Sequence, residues 1–175
     1  RGGLRLMDGE IQVLANNNAA DSKNSQAKAS SAWRAISAAT GELVVPGTAG
    51  TLKYDASAAG TTGAHGAPVL SNAVSNRNGE AGSDENAPGN TSGRLEAITS
   101  KAGLVVPSIA KALSLFPLDA NLGGDLLYLR NYGERLAISG GSWSGGANAG
   151  VFALYLSDAR SHRSTGLGAR PAFVL

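Results

Sequence analysis

The sequence predicts an α+β domain, with helices in its N-terminal part and antiparallel strands in its C-terminal part. Three observations carry this. Apolar residues at helical spacing come early, at 21–40, 95–102 and 108–116, and strand-like segments dominate late, at 125–130, 135–139, 150–155 and 169–175. A length of 175 residues suits one hydrophobic core and is short for two.

Taken in order, Leu4 to Leu14 alternates in part around Asp8-Gly9, a dipeptide that favours a tight hairpin turn. The stretch 21–40 is mostly Ala, Ser, Lys and Gln, with Trp33 and Ile36 on one helical face and Gly41 where a C-cap glycine would stand. A helix is expected there, with Trp33 facing inward. Glu42 to Val45, stopped by Pro46-Gly47, and Thr51 to Tyr54 read as short strands. Residues 55–92 are rich in Gly, Ala, Ser, Asn and Pro and read as a long exposed insertion within the single domain. Asp84, Glu85 and Asn86 are the cation-binding candidates in it, but they lack the fixed ligand offsets of a calcium loop and read as solvated. A helical pair is expected next, at 95–102 and 108–116, with Pro107 in a first turn and Pro117 as a stop. After Gly123-Gly124 the strands follow.

Composition narrows the function. Fifteen Lys and Arg against thirteen Asp and Glu give a formal charge of +2, with no basic run to track a phosphate backbone, so nucleic acid is not an expected partner. The apolar runs fall well short of the roughly 20 residues of a membrane-spanning helix, and no membrane insertion is expected. The chain has no cysteine, which removes disulfides, thiolate metal sites and thiol nucleophiles. It opens on Arg1 rather than Met, as a piece of a longer protein would.

The region 138–173 interleaves two kinds of residue. Gly140, Gly141, Trp143, Phe152, Arg160, Arg170 and Phe173 read as scaffold: glycines for a tight turn, rings to bury, and guanidinium forks to satisfy carbonyls or a carboxylate. Between them lie small and polar groups. The succession "ISGGSW", "AGVFAL", "DARS" and "GLGARPAF" resembles the C-terminal half of the C-type-lectin-like fold, and within it the variable proteins of diversity-generating retroelements, many encoded by phages and prophages and related in fold to formylglycine-generating enzymes. The family's usual closing Gly-Phe-Arg is here Gly168-Ala169-Arg170, so another group must fill the place of that ring.

What the resemblance implies is a fixed scaffold whose interspersed positions are rewritten by copying a template repeat with errors at adenine, chiefly in asparagine codons. Residues reachable from such codons include Ser, Asp, Tyr, His, Gly, Thr and Arg. The compatible positions are Ser142, Ser144, Gly145, Asn148, Tyr155, Ser157, Asp158, His162, Ser164, Thr165 and Gly166, expected together on one exposed face. Tyr155 is the expected anchor, a rigid ring among adaptable hydrogen-bonding groups, as in antibody loops.

Catalysis is not expected. The enzymatic relatives use copper held by cysteines, which this chain lacks; His65 stands in a Gly-rich loop, and Ser161, His162 and Asp158 are too close in sequence to orient readily as a triad. The Glu-Pro-Asn type of triplet that serves calcium-dependent sugar binding is absent, and no cofactor is expected. The resemblance therefore implies a binding protein, a phage tail-tip or fibre subunit that sets host tropism by engaging a bacterial surface protein or glycan. It further implies homo-oligomers, with a trimer fitting phage relatives. Two alternatives stay open: a static virion attachment protein, and a bacterial cell-surface adhesin carrying the same cassette.

Overall fold

Asp8 and Gly9 sit at φ 50° and 86°, the paired left-handed conformations of a tight hairpin turn. They join β1 (Leu4–Met7) to β2 (Glu10–Leu14) in antiparallel register, Leu6 opposite Ile11. In the computed structural model, which describes residues 3–15, 26–60, 63–78, 89–141 and 145–168, this hairpin is the middle of a larger sheet. β3 (Trp33–Ile36), β4 (Leu43–Val44), β5 (Lys53–Ala56), β7 (Pro68–Ser71), β9 (Thr99–Ser100) and β11 (Glu134–Leu136) complete it. The strand order is β11-β1-β2-β5-β7-β9, with β3 also on β2 and β4 on β3. A second sheet runs β12 (Ile138–Ser139), β13 (Leu154–Leu156), β10 (Leu126–Leu129), β8 (Gly89–Arg94), β6 (Gly63–Ala64).

The α+β expectation is overturned. Of the described residues 35% lie in strands and 8% in helical turns, so the fold is nearly all β. The one α-helix among the described residues, α1 (Ser108–Ala112), falls within the expected 108–116 segment but ends well before Pro117, with Ser114 at φ 53°. The described part of 21–40 holds β3 in place of a helix: Trp33, Ala35 and Ile36 are buried between β2 and β4, and cross-strand pairing prevails over an alanine-rich helical propensity. At 95–102 Leu95 and Ile98 do both point inward, but from a 3₁₀ turn (Leu95–Ala97) that leads into β9, paired parallel with β7. The expected strand at 169–175 lies outside the described residues, as do Asp84, Glu85 and Asn86.

The stretch read as an insertion is part of the framework where it is described. Asp55, buried at the end of β5, accepts the backbone N–H groups of Ala56, Ser75 and Asn76 at 2.8–2.9 Å. Asn131 links the same turn to the chain after β10, accepting from the Asn78 N–H at 2.9 Å and donating to the Asn76 carbonyl at 2.8 Å. The polar composition here satisfies buried backbone groups.

The core lies between the two sheets. Leu4, Leu6, Ile11, Leu52, Tyr54 and Leu70 from the first meet Leu127, Leu129, Leu154 and Leu156 from the second, with Leu95, Ile98, Ala110 and Leu115 closing it. Each fully buried Leu contributes roughly 1.5–3 kcal/mol relative to exposure. The Tyr54 hydroxyl, wholly inside, donates to the Leu115 carbonyl.

Candidate functional site

Strand β13 alternates cleanly. Leu154 and Leu156 enter the core, so Tyr155 between them must point to the opposite face of its sheet. There β13 runs antiparallel to β12 and parallel to β10, which sets Tyr155 opposite both Ile138 and Tyr128. Ser92 of β8 continues the row beyond Tyr128. The two tyrosine rings lie side by side, centroids 5.9 Å apart and planes 30° apart, each half-buried.

Beyond Tyr155 the chain leaves the sheet and folds back as a loop. It encloses a shallow, solvent-open depression of about 140 Å³ lined by Ile138, Gly141, Tyr155, Asp158, His162, Ser164, Gly166 and Leu167. Five of the residues chosen from the sequence therefore meet: Tyr155, Asp158, His162, Ser164 and Gly166. Thr165 is exposed on the same loop without lining the depression. Gly145 and Asn148 belong to a separate 3₁₀ turn region (Gly146–Asn148) and are also absent from the lining. Ser157 is corrected: only 3% exposed, it turns inward, and its hydroxyl donates to Asp158 Oδ1 at 3.3 Å. Ser142, Ser144 and the scaffold residues Trp143, Arg170 and Phe173 lie outside the described residues.

Two sets of contacts fix this loop. Near its start the Asp158 carbonyl accepts the Leu136 N–H at 3.0 Å, and Arg130 donates from Nη1 to the Ser157 carbonyl at 3.1 Å. Arg160 then forks onto Glu134, Nε at 2.9 Å and Nη2 at 2.7 Å, the carboxylate partner expected for a scaffold guanidinium. Glu134 also accepts from Arg5 Nη1 at 2.6 Å. From Arg5 the polar chain continues across the sheet: Arg5 Nε donates to Gln12, Gln12 to Glu10, and Glu10 accepts the Thr51 hydroxyl and the Gly47 N–H. The Arg5 guanidinium also stacks 4.2 Å from the Trp33 ring centroid.

Burial alone would push the Glu134 carboxyl up, but hydrogen bonds from Arg160 and Arg5 outweigh it and hold the group below the usual carboxylate range. The same hydrogen bond raises Arg160, against a smaller effect of its burial. At the site itself, burial raises the Tyr128 hydroxyl, Arg130 opposes this, and Asp158 and Tyr155 add to the rise.

Two glycines are held close to their neighbours around β13, and the first of them, Gly141, lines the depression. Gly141, at φ 89°, leaves no room for a Cβ against Ala149, and a Cβ on Gly150 would collide with the Asp125 carboxylate. That carboxylate accepts the Phe152 N–H at 2.7 Å and so fixes the approach to β13. Phe152, half-buried, lines a second hollow with Phe116 and Leu122.

Sequence reasoning passed over Tyr128, Ile138 and Leu167, which have no polar-variable signature. The alternation in Leu127-Tyr128-Leu129 was the available signal, since it turns a lone ring away from two buried leucines. Chemically the depression offers a carboxylate acceptor, an imidazole, a hydroxyl and one aromatic wall. Among the described residues no group of three or more His, Asp or Glu is placed to hold a metal ion, and no helix is long and apolar enough to cross a membrane. Compared with known proteins, the chain matches no family model and no curated protein.

Proposed function

We propose that this chain is a ligand-binding protein whose C-terminal segment displays a surface rewritten from copy to copy, carried on a phage tail tip or fibre, where it sets host tropism. The observation that supports this best is the meeting of Tyr155, Asp158, His162, Ser164 and Gly166 around one open depression, although 11 positions separate the first from the last. The proposal rests on that surface and on the resemblance of 138–173, not on a helix-first layout. Its mechanism is display: a rigid ring among exchangeable polar groups, on a loop clamped from below by Arg160 and Glu134.

A site this small and open binds weakly alone, and repetition on a virion, as a trimer of this chain, raises avidity through linked binding. The deciding experiment pairs genomic sequence with cell labelling. A template repeat matching the codons of 138–173 except at adenines, beside a reverse transcriptase gene, is expected. Replacing the five lining residues with those of a sibling copy should then change which bacterial strains the purified chain labels. Absence of the repeat, with labelling indifferent to the swap, overturns the proposal; a monomer by light scattering removes its trimeric part.

A further inference from the structure

We infer that the depression takes one pyranose ring of a host-surface glycan, and that Tyr128, outside the rewritten segment, supplies its second stacking surface. This deepens the proposed binding role and rests on it. A pyranose is amphipathic: its C–H groups present an apolar plane, and its rim carries hydroxyls that both donate and accept. A receptor for it needs an aromatic plane flanked by mixed donors and acceptors. Tyr155 lines the depression, and Tyr128, in register on the adjacent strand with its ring centroid 5.9 Å away and its plane tilted by 30°, extends the aromatic surface just beside it. Asp158, His162 and Ser164 stand at its end as the acceptor and donors.

Other ligand classes fit less well. Among the described residues the lining contains no Lys or Arg, whereas a phosphate or sulfate group calls for cations. The nearby Arg130 is already engaged with the carbonyls of Gly89 and Ser157, both at 3.1 Å. At about 140 Å³ the space is well under the roughly 300–1,000 Å³ of pockets that enclose drug-sized molecules, and it is open to solvent, which suits a single ring on a longer chain. A peptide added as a strand would find only the two residues of β12 at this edge. Burial, with Asp158 and Tyr155 nearby, holds the Tyr128 hydroxyl above its ordinary value, so it is a neutral donor and acceptor at physiological pH.

The placement also divides the labour. Tyr155 belongs to the segment whose polar positions vary between copies, whereas Tyr128 lies upstream of it and is the same in all of them. A constant ring gives every copy affinity for the sugar class, and the variable groups choose among sugars.

The test uses the full chain and four probes: the methyl glycosides of mannose, galactose, N-acetylglucosamine and rhamnose, followed by saturation-transfer NMR. Saturation should reach the ring C–H protons of at least one. For that glycoside, Tyr128→Ala and Tyr128→Leu should each weaken binding about fivefold, the scale of one ring contact, while Tyr128→Phe stays within about twofold. Circular dichroism and the urea midpoint show that each variant is folded, and Leu, which keeps apolar bulk on the sheet, replaces Ala should Ala unfold. If no glycoside is saturated while the chain still labels host cells in a Tyr155-dependent way, the glycan inference falls and the binding role stands. Equal binding by wild type and a folded Tyr128→Leu overturns the part given to Tyr128. Failure of both glycosides and cell labelling overturns both readings.

Discussion

Removing Glu134 should be far more damaging than removing the arginine that visibly clamps the loop to it. Glu134 and Arg5 have side chains only 6% and 5% exposed, whereas that of Arg160 is 36% exposed. Glu134→Ala therefore leaves a buried guanidinium without its carboxylate, and breaking a buried pair in this way costs about 3–5 kcal/mol. Arg5 keeps Gln12 Oε1 at 2.8 Å, the Lys28 carbonyl at 3.0 Å and the Trp33 ring. These dipoles place the expected loss at the lower end, about 3 kcal/mol. Arg160→Ala removes only the exposed half of the network, for about 0.5–1 kcal/mol.

Urea unfolding followed by tryptophan fluorescence reads the difference directly, since Trp33 sits against Arg5. With an m-value of about 2 kcal/mol/M, Glu134→Ala should lower the midpoint by about 1.5 M and Arg160→Ala by no more than about 0.5 M. Replacing both charges by apolar groups, Arg5→Met with Glu134→Leu, should recover part of the loss, because no buried charge is then unpaired, although Gln12 Oε1 and the Lys28 carbonyl lose their Arg5 donor. Equal shifts for the two single variants, or no recovery in the double variant, would refute this account of the network.

Three further outcomes are expected. The same carboxylate confers an acid limit: its folded value lies below the ordinary Glu value of about 4.3, so its contribution is complete above that value and is lost as pH falls through the folded one; urea midpoints measured from neutral pH downward should drop below about pH 4.3, with a shallower drop in Glu134→Gln. Gly9→Ala places a Cβ 2.7 Å from Val74 Cγ2 and 3.1 Å from the Tyr54 carbonyl at a φ of 86°, and should destabilise by about 1–3 kcal/mol by thermal or urea unfolding. Leu127→Ala, in the core between the sheets, should cost about 2–5 kcal/mol, whereas the half-buried neighbour Leu126→Ala should cost clearly less; similar midpoints for the two would place the core elsewhere.

Where local chemistry decides structure, the sequence was readable. Asp8-Gly9 made its hairpin, and the segments around Tyr54 and Leu127 made β5 and β10, whereas the one strand expected at 135–139 is divided between β11 and β12, which belong to different sheets. The helices were misread where a three-residue spacing has two solutions. Trp33 and Ile36 suit one face of a helix, and so do Leu95 and Ile98, but in the fold the first pair belongs to a strand and the second brackets a 3₁₀ turn. Strand partners outside each segment chose between them: β2 and the nearby β4 for the first, β7 for the second. Composition misled at 55–78, because Asp55, Asn76 and Asn78 look solvated in a string of letters and act in the fold as hydrogen-bonding partners of backbone groups.

The candidate site was partly legible for the same reason. Residue type alone picked out Tyr155, Asp158 and His162, but it could not tell that Ser157, of the same polar class, follows Leu156 into the interior. Nor could it link Tyr128 to Tyr155, since parallel pairing of β10 with β13 joins strands separated by two intervening ones in the chain.

The crowding at Gly141 and Gly150 bears on how genetic spelling can protect a shape. Glycine triplets carry guanine in their first two letters, and whatever stands third is silent, so a copyist that stumbles only on adenine cannot replace these two residues wherever the template also spells glycine. Leucine and phenylalanine can likewise be spelled without that base, and serine has one set of triplets that avoids it in the letters that matter and another that does not. Under the proposed mode of variation, the gene should write the inward-turned Ser157 from the sheltered set and Ser164, on the open rim, from the vulnerable one.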